Sequence, residues 1–312
     1  MAMSNQQKYK VTLAGFVITL AGALLFSTKA IIVKLAFKHT AMNALSLLTL
    51  RMLFALPFYL VAAWIAAKAK NTTPLTGRQW GVIVFLGLFG YYLSSLFDFV
   101  GLQYITAGLE RLILFLYPTF AILLNAFIFK QRVNRIQKIA LLLTYTGIAV
   151  AYVGELQLDM NNPDFLWGSF LIFLCSVTFA VYITGSGRII PQVGAGRFTA
   201  YAMLAATTGI FIHFALAGLM PAAGFSGIHW GYGLLLAIVA TVLPSFLISN
   251  GMKRIGSNNV AIISAIGPVS TIVQAYFILN EPIIMEQIAG TVLVIAGVLL
   301  IGWQPSKNVD IK

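Results

Sequence analysis

Eight acidic residues, three histidines and a single cysteine are all that 312 residues offer for acid–base, metal or thiol chemistry. Charged residues make up only 9% of the chain, against about 25% in an ordinary soluble domain. Cys175 lies inside an apolar run, so a disulfide framework and a cysteine-based metal site are both ruled out. Zinc-ligand spacings, G-x-S-x-G, a P-loop and paired histidines are missing as well. No catalytic residue, metal or cofactor is therefore expected. A polytopic membrane enzyme and a channel remain as competing classes. The first lacks clustered acids, histidines or cysteines, and the second lacks a filter loop or a charged ring.

What the sequence does have is apolar residues, 60% of the total. A water-soluble fold could not bury that much apolar surface, so lipid must act as the second solvent. A span needs about 20 mostly apolar residues. Ten segments qualify, at 11–33, 42–66, 80–100, 107–129, 136–154, 165–185, 198–219, 230–250, 258–279 and 284–303. The first is longer than the apolar region of a cleavable signal peptide and reads as a retained span. Trp64, Trp80, Trp167, Trp230 and Trp303 all fall near proposed span ends, where indole rings meet headgroups. The net charge of +12 is carried in short basic clusters between apolar runs, which points away from nucleic acid and toward membrane loops. With the N-terminus in the cytoplasm, fifteen Lys and Arg fall on inner segments, and only Lys34 and Lys38 fall on outer ones. Both termini are expected to be cytoplasmic.

Shifted by 150 positions, residues 80–150 align with 230–300 without a gap and match at 15 of 71 positions. Trp80/Trp230, Gly101/Gly251, Pro118/Pro268, Gln137/Gln287 and Gly147/Gly297 recur in one register, which apolar composition alone does not explain. Five spans per half is an odd number, so the second half should enter the membrane the opposite way. The fold expected is all-α and integral to the membrane. Ten transmembrane helices would form two inverted-topology repeats, residues 1–154 and 166–312, joined by an external linker at 155–165. Inverted repeats are a transporter design in which the substrate site lies near the midplane between the halves.

Gly101–Gly108, Leu116-Tyr-Pro-Thr-Phe120 and Gly147-Ile-Ala resemble the first-half pattern of EamA-type proteins of the drug/metabolite transporter superfamily. Ile266-Gly-Pro-Val269, Leu279-Asn-Glu-Pro282, Gln287 and Gly297-Val match it again in the second half. The resemblance implies a ten-helix carrier in a bacterial inner membrane, exporting amino acids or related metabolites. A small-molecule substrate, lipid as the surrounding partner and coupling to protons go with that reading. One departure is Gln131, which stands where an acid often ends the fourth span, whereas its counterpart Glu281 is acidic.

Charge inside a bilayer is costly and marks candidate sites. Arg51 lies about 3 Å from the middle of the second span by helical rise and could grip a carboxylate or phosphate. The competing reading is a packing role. Lys29, Asp98, Glu110 and Arg111 share a level about 10 to 12 Å outward of the midplane, where they could form an ion-pair gate or hold a coupling proton. The alternative is snorkelling of Lys29, with the others at the headgroup boundary. His213 is a candidate relay or a helix-to-helix bonder. Pro118 and Pro268 should kink the fourth and ninth spans, freeing the carbonyls of Leu114 and Ser264 beside a pathway. Tyr91, Tyr92, Ser95, Tyr117, Tyr182 and Gln274 complete the candidate lining, and Ser94 shares the polar face of the third span. The small pairs Ala140/Gly147 and Gly290/Gly297 read as close helix packing.

Overall fold

The computed structural model describes residues 12–68, 74–130, 135–158, 162–218, 224–264 and 266–302, and among them it is all-helical. Gln131, Trp303 and the basic residues Lys8, Lys10, Lys70, Arg132, Lys307 and Lys312 lie outside the described residues. Eight helices are long and apolar enough to cross a membrane, and two shorter apolar helices, Gly267–Leu279 and Met285–Leu300, follow them. We label the helical rods in order. They are α1 (Leu13–His39), α2 (Ala44–Lys68), α3 (Gly77–Gly101), α4 (Ala107–Leu114 and Tyr117–Phe129) and α5 (Arg135–Leu158). The second set is α6 (Phe165–Val193), α7 (Ala195–Leu216), α8 (Gly227–Ala237, Ile238–Val242 and Leu243–Ser264), α9 (Gly267–Leu279) and α10 (Met285–Gly302).

Several expected loops are helical instead. Lys34 and Lys38 extend α1, Glu155–Leu158 extend α5 into the expected linker, and residues 251–257 belong to the helix Leu243–Ser264. Gly194 alone joins α6 to α7, in a left-handed conformation (φ 86°) that a side chain would strain. Each extension is the same effect. A backbone leaving the apolar region keeps its hydrogen bonds most cheaply by staying helical, and hydropathy does not see this.

Three local features recur 150 residues apart. Thr76 and Gln79 form a capping box at the start of α3, and Ser226 and His229 form one at the start of α8. Both helices then widen into π turns ending at Tyr92 and Val242. Finally, α4 breaks after Leu114 and the helical run of α8 ends at Ser264, with new helices starting at Tyr117 and Gly267. Pro118 and Pro268 thus sit in the first turn of a new helix, where a missing N–H costs nothing. The expected kinks are complete breaks.

Small residues set how the rods pack. Gly154 lies against Glu286, Gly147 against Gly290, and Gly297 against Thr144 and Ala140, so α5 and α10 run antiparallel with their backbones touching. A Cβ at Gly147 or Gly290 would meet the carbonyl of the other. In the same way α1 packs antiparallel on α8 (Gly15 on Ile255, Thr19 on Gly251), and α6 on α3 (Gly168 on Gly101 and Tyr104, Tyr182 on Gly90). Gly101 and Gly251 are equivalent positions in the two halves. Each half therefore lends its first helix to the third helix of the other. Trp64, Trp80, Trp167 and Trp230 are all exposed.

Candidate functional site

The N-terminal half of α2 is buried on every side from Ala44 to Met52, which draws Arg51 into the interior with 3% of its surface exposed. Arg51 donates from Nη2 to Ser95 Oγ at 3.1 Å, and its guanidinium lies 4.9 Å from the Phe99 ring centre and 5.9 Å from that of Tyr91. Its Nε is buried without a hydrogen-bond partner, and among the described residues it forms no ion pair. A cation that spends only part of its donor capacity is costly to bury unless an anion completes it.

Lys29 of α1 reaches Asp98 Oδ2 at 2.7 Å and Glu110 Oε1 at 3.5 Å. All three are buried, Glu110 completely. Mutual pairing explains why: two carboxylates and an ammonium on three different helices lower one another's desolvation cost. Arg111, the fourth expected member, stays outside the pairs. It donates from Nη2 to Ser27 Oγ at 3.4 Å, and its Nε has no partner.

A cavity of about 230 Å³ runs through this region, lined by Lys29, Arg51, Tyr91, Ser94, Ser95, Asp98, Arg111, Tyr117 and Ser264. Phe26, Phe115, Cys175 and Phe179 supply much of its apolar wall, and nothing in their sequence context had marked them. Leu114 and Ser264, the last residues before the two helix breaks, are both on the wall. Other candidates lie elsewhere. Tyr92 Oη lies 2.7 Å from His213 Nδ1, a hydrogen bond that ties α3 to α7 away from the cavity. Tyr182 packs behind Tyr91 with ring centres 6.0 Å apart, and Gln274 donates to Ser270 Oγ within its own helix. Pro118 and Pro268 shape the breaks without lining the cavity.

A second polar cluster, which the sequence reading missed, closes one end of the bundle. Glu281 accepts the backbone N–H of Ala107 at 3.0 Å, at the positive end of the first α4 segment, and lies 3.8 Å from Lys34 Nζ. Lys34 also donates to the Ile105 carbonyl at 2.6 Å. Thr106 and Gln287 both donate to Glu155 Oε1 at 2.9 Å. The available signal was Glu281 itself, noted only as the acidic counterpart of Gln131. Its partners, Lys34 of α1 and Ala107 of α4, share no sequence spacing with it.

The EamA-like transporter family model matches twice, at residues 13–153 and 166–303. A curated relative, the uncharacterized transporter YcbK of Bacillus subtilis, is 30% identical over 295 residues, 93% of each chain. An uncharacterized transporter of Archaeoglobus fulgidus is 24% identical over 277 residues, 89% of this chain and 93% of the relative. A solved structure titled only as the crystal structure of a protein superposes with a TM-score of 0.63 at 18% identity, covering 92% of this chain and 95% of that one, a likeness of fold. With two matched units spanning most of its length and a cavity at the seam between them, this chain belongs to the EamA-like transporter family.

Proposed function

We propose that the protein is a secondary carrier of small metabolites that works by alternating access between two inverted five-helix repeats, residues 1–154 and 166–312. One observation carries the reading. A charge-lined cavity sits where the first helix of each half packs antiparallel on the third helix of the other, Thr19 on Gly251 and Gly168 on Gly101. Two helices break at its wall, and in a membrane interrupted backbone is tolerated only where protein or water satisfies the freed groups. Both termini are cytoplasmic in this reading, the membrane is a bacterial inner membrane, and the ten helices all cross it. Export of amino acids or related compounds follows the family resemblance. Arg51 is the anchor for an anionic group of the substrate.

The polar clusters give the carrier its barrier. Lys29, Asp98 and Glu110 stand at one side of the cavity, and Lys34 and Glu281 lie about a turn and a half further along. The Lys34–Glu281 pair joins the two repeats, so rocking one half against the other would separate it, whereas Lys29, Asp98 and Glu110 join three helices of the first repeat. Glu110, completely buried and held by Lys29 at 3.5 Å, the longer of the lysine's two pairs, is the acid available to a coupling proton.

Purified protein in liposomes should give saturable counterflow, with internal unlabelled substrate accelerating uptake of label. Flux that rises linearly with concentration, or turnover without movement across the bilayer, would replace the carrier by a channel or an enzyme. Reporter fusions after positions 70, 160 and 225 should read inside, outside and outside. A cytoplasmic reading at 160 would sink the inverted arrangement.

A further inference from the structure

Arg111 is placed where a cation should not rest alone. It sits in the last turn of the helix Ala107–Leu114, is 5% exposed, and faces the same cavity as Arg51. Its guanidinium reaches the start of the helix Gly267–Gln274, close enough that a Cβ on Gly267 would lie 3.3 Å from Nη2. That helix start carries the positive end of the helix dipole and backbone N–H groups with no partner inside the helix. Two positive features therefore meet with no anion between them. The Arg111 contacts are a long bond to Ser27 and the faces of Phe26 and Phe115 at 5.5 and 5.8 Å, while Nε is buried and unpartnered. Among the described residues it makes no ion pair, because Lys29 takes both nearby carboxylates.

Arg51 has none of these neighbours. It is held by Ser95, Phe99 and Tyr91, so the two guanidinium groups are separate anchors in one cavity. We propose that Arg111, together with the N-terminus of the helix Gly267–Gln274, forms a second anion point, and that the substrate is a two-headed organic acid whose carboxylates engage Arg51 and Arg111. The aromatic wall of the same cavity, Phe26, Tyr91, Phe115, Tyr117 and Phe179, suits a compact apolar middle. This inference rests on the reading of Arg51 as an anion anchor.

The test is calorimetric binding to the purified full-length protein of α,ω-dicarboxylates from succinate to suberate, each against the monocarboxylate of the same chain length. In wild type the best-fitting dicarboxylate should bind at least roughly ten-fold more tightly than its monocarboxylate, the effect of one added charge-assisted contact. Arg111→Gln should abolish that preference and leave monocarboxylate affinity unchanged. Equal affinities in wild type, or a preference that survives Arg111→Gln, overturns the second anion point. If monocarboxylates bind, Arg51→Gln weakens them and no dicarboxylate binds wild type more tightly than its monocarboxylate, the Arg51 reading stands and this inference falls. If neither class binds, both fall. Should Arg111→Gln fail to accumulate, Arg111→Lys decides, since it keeps the charge but loses the planar fork. A reduced dicarboxylate preference supports the proposal, and an unchanged one rejects it.

Discussion

Arg51→Gln should lower substrate affinity roughly ten- to 150-fold, the range expected when a charge-assisted contact worth about 1.5 to 3 kcal/mol is lost. The reason lies in the surroundings of the side chain. Arg51 is buried on α2, bonded only to the neutral Ser95, and rests on two ring faces with Nε unused. Arg51→Lys keeps the charge but cannot reproduce a planar two-point grip, so it should transport weakly. Transport must be compared per folded molecule, because a buried cation can also serve packing. Full affinity and rate in Arg51→Gln would reject the recognition role. Failure of that variant to reach the membrane in folded form would favour packing instead.

Lys29→Met should be the most destabilising single change in the polar interior. It would leave Asp98 and Glu110 facing each other in a buried setting with no ammonium between them. Removing one partner of a buried ion pair typically costs about 3 to 5 kcal/mol, a large share of the roughly 5 to 15 kcal/mol that holds a protein folded. Thermal unfolding in detergent would register it directly. The triple variant Lys29→Met, Asp98→Leu, Glu110→Gln should recover stability, since a buried ionic cluster replaced by groups of similar volume is often neutral. It should not recover transport if the cluster opens and closes the pathway. A stable Lys29→Met would show that the pairs carry little energy, and a fully active triple variant would reduce them to filling.

Membrane residence and the two-unit architecture were both legible in the residues. Each follows from a one-dimensional pattern. Apolar run length marks a span, basic clusters mark loops, and Pro118/Pro268 and Gly147/Gly297 mark a repeat. The capping boxes at Thr76 and Ser226 and the helix breaks beside the two prolines then appeared in the same register. Burial of Arg51 could also be read, because a charge in mid-span is too costly to face lipid.

Partnership was decided only by the tertiary structure. Lys29, Asp98, Glu110 and Arg111 looked like two balanced pairs at one level, yet Lys29 takes both acids and leaves Arg111 against Ser27 and the Gly267 helix start. Tyr92 and Tyr91 are adjacent in sequence, but the π turn ending at Tyr92 aims one at the cavity and the other at His213. The contact of Glu281 with the N–H of Ala107 joins residues 174 positions apart, and no spacing announces it. Hydropathy fixes how deep a residue sits. Which way it faces, and which charge it meets, depends on how ten rods rotate and slide against one another, and that is set by close contacts such as Gly147 on Gly290.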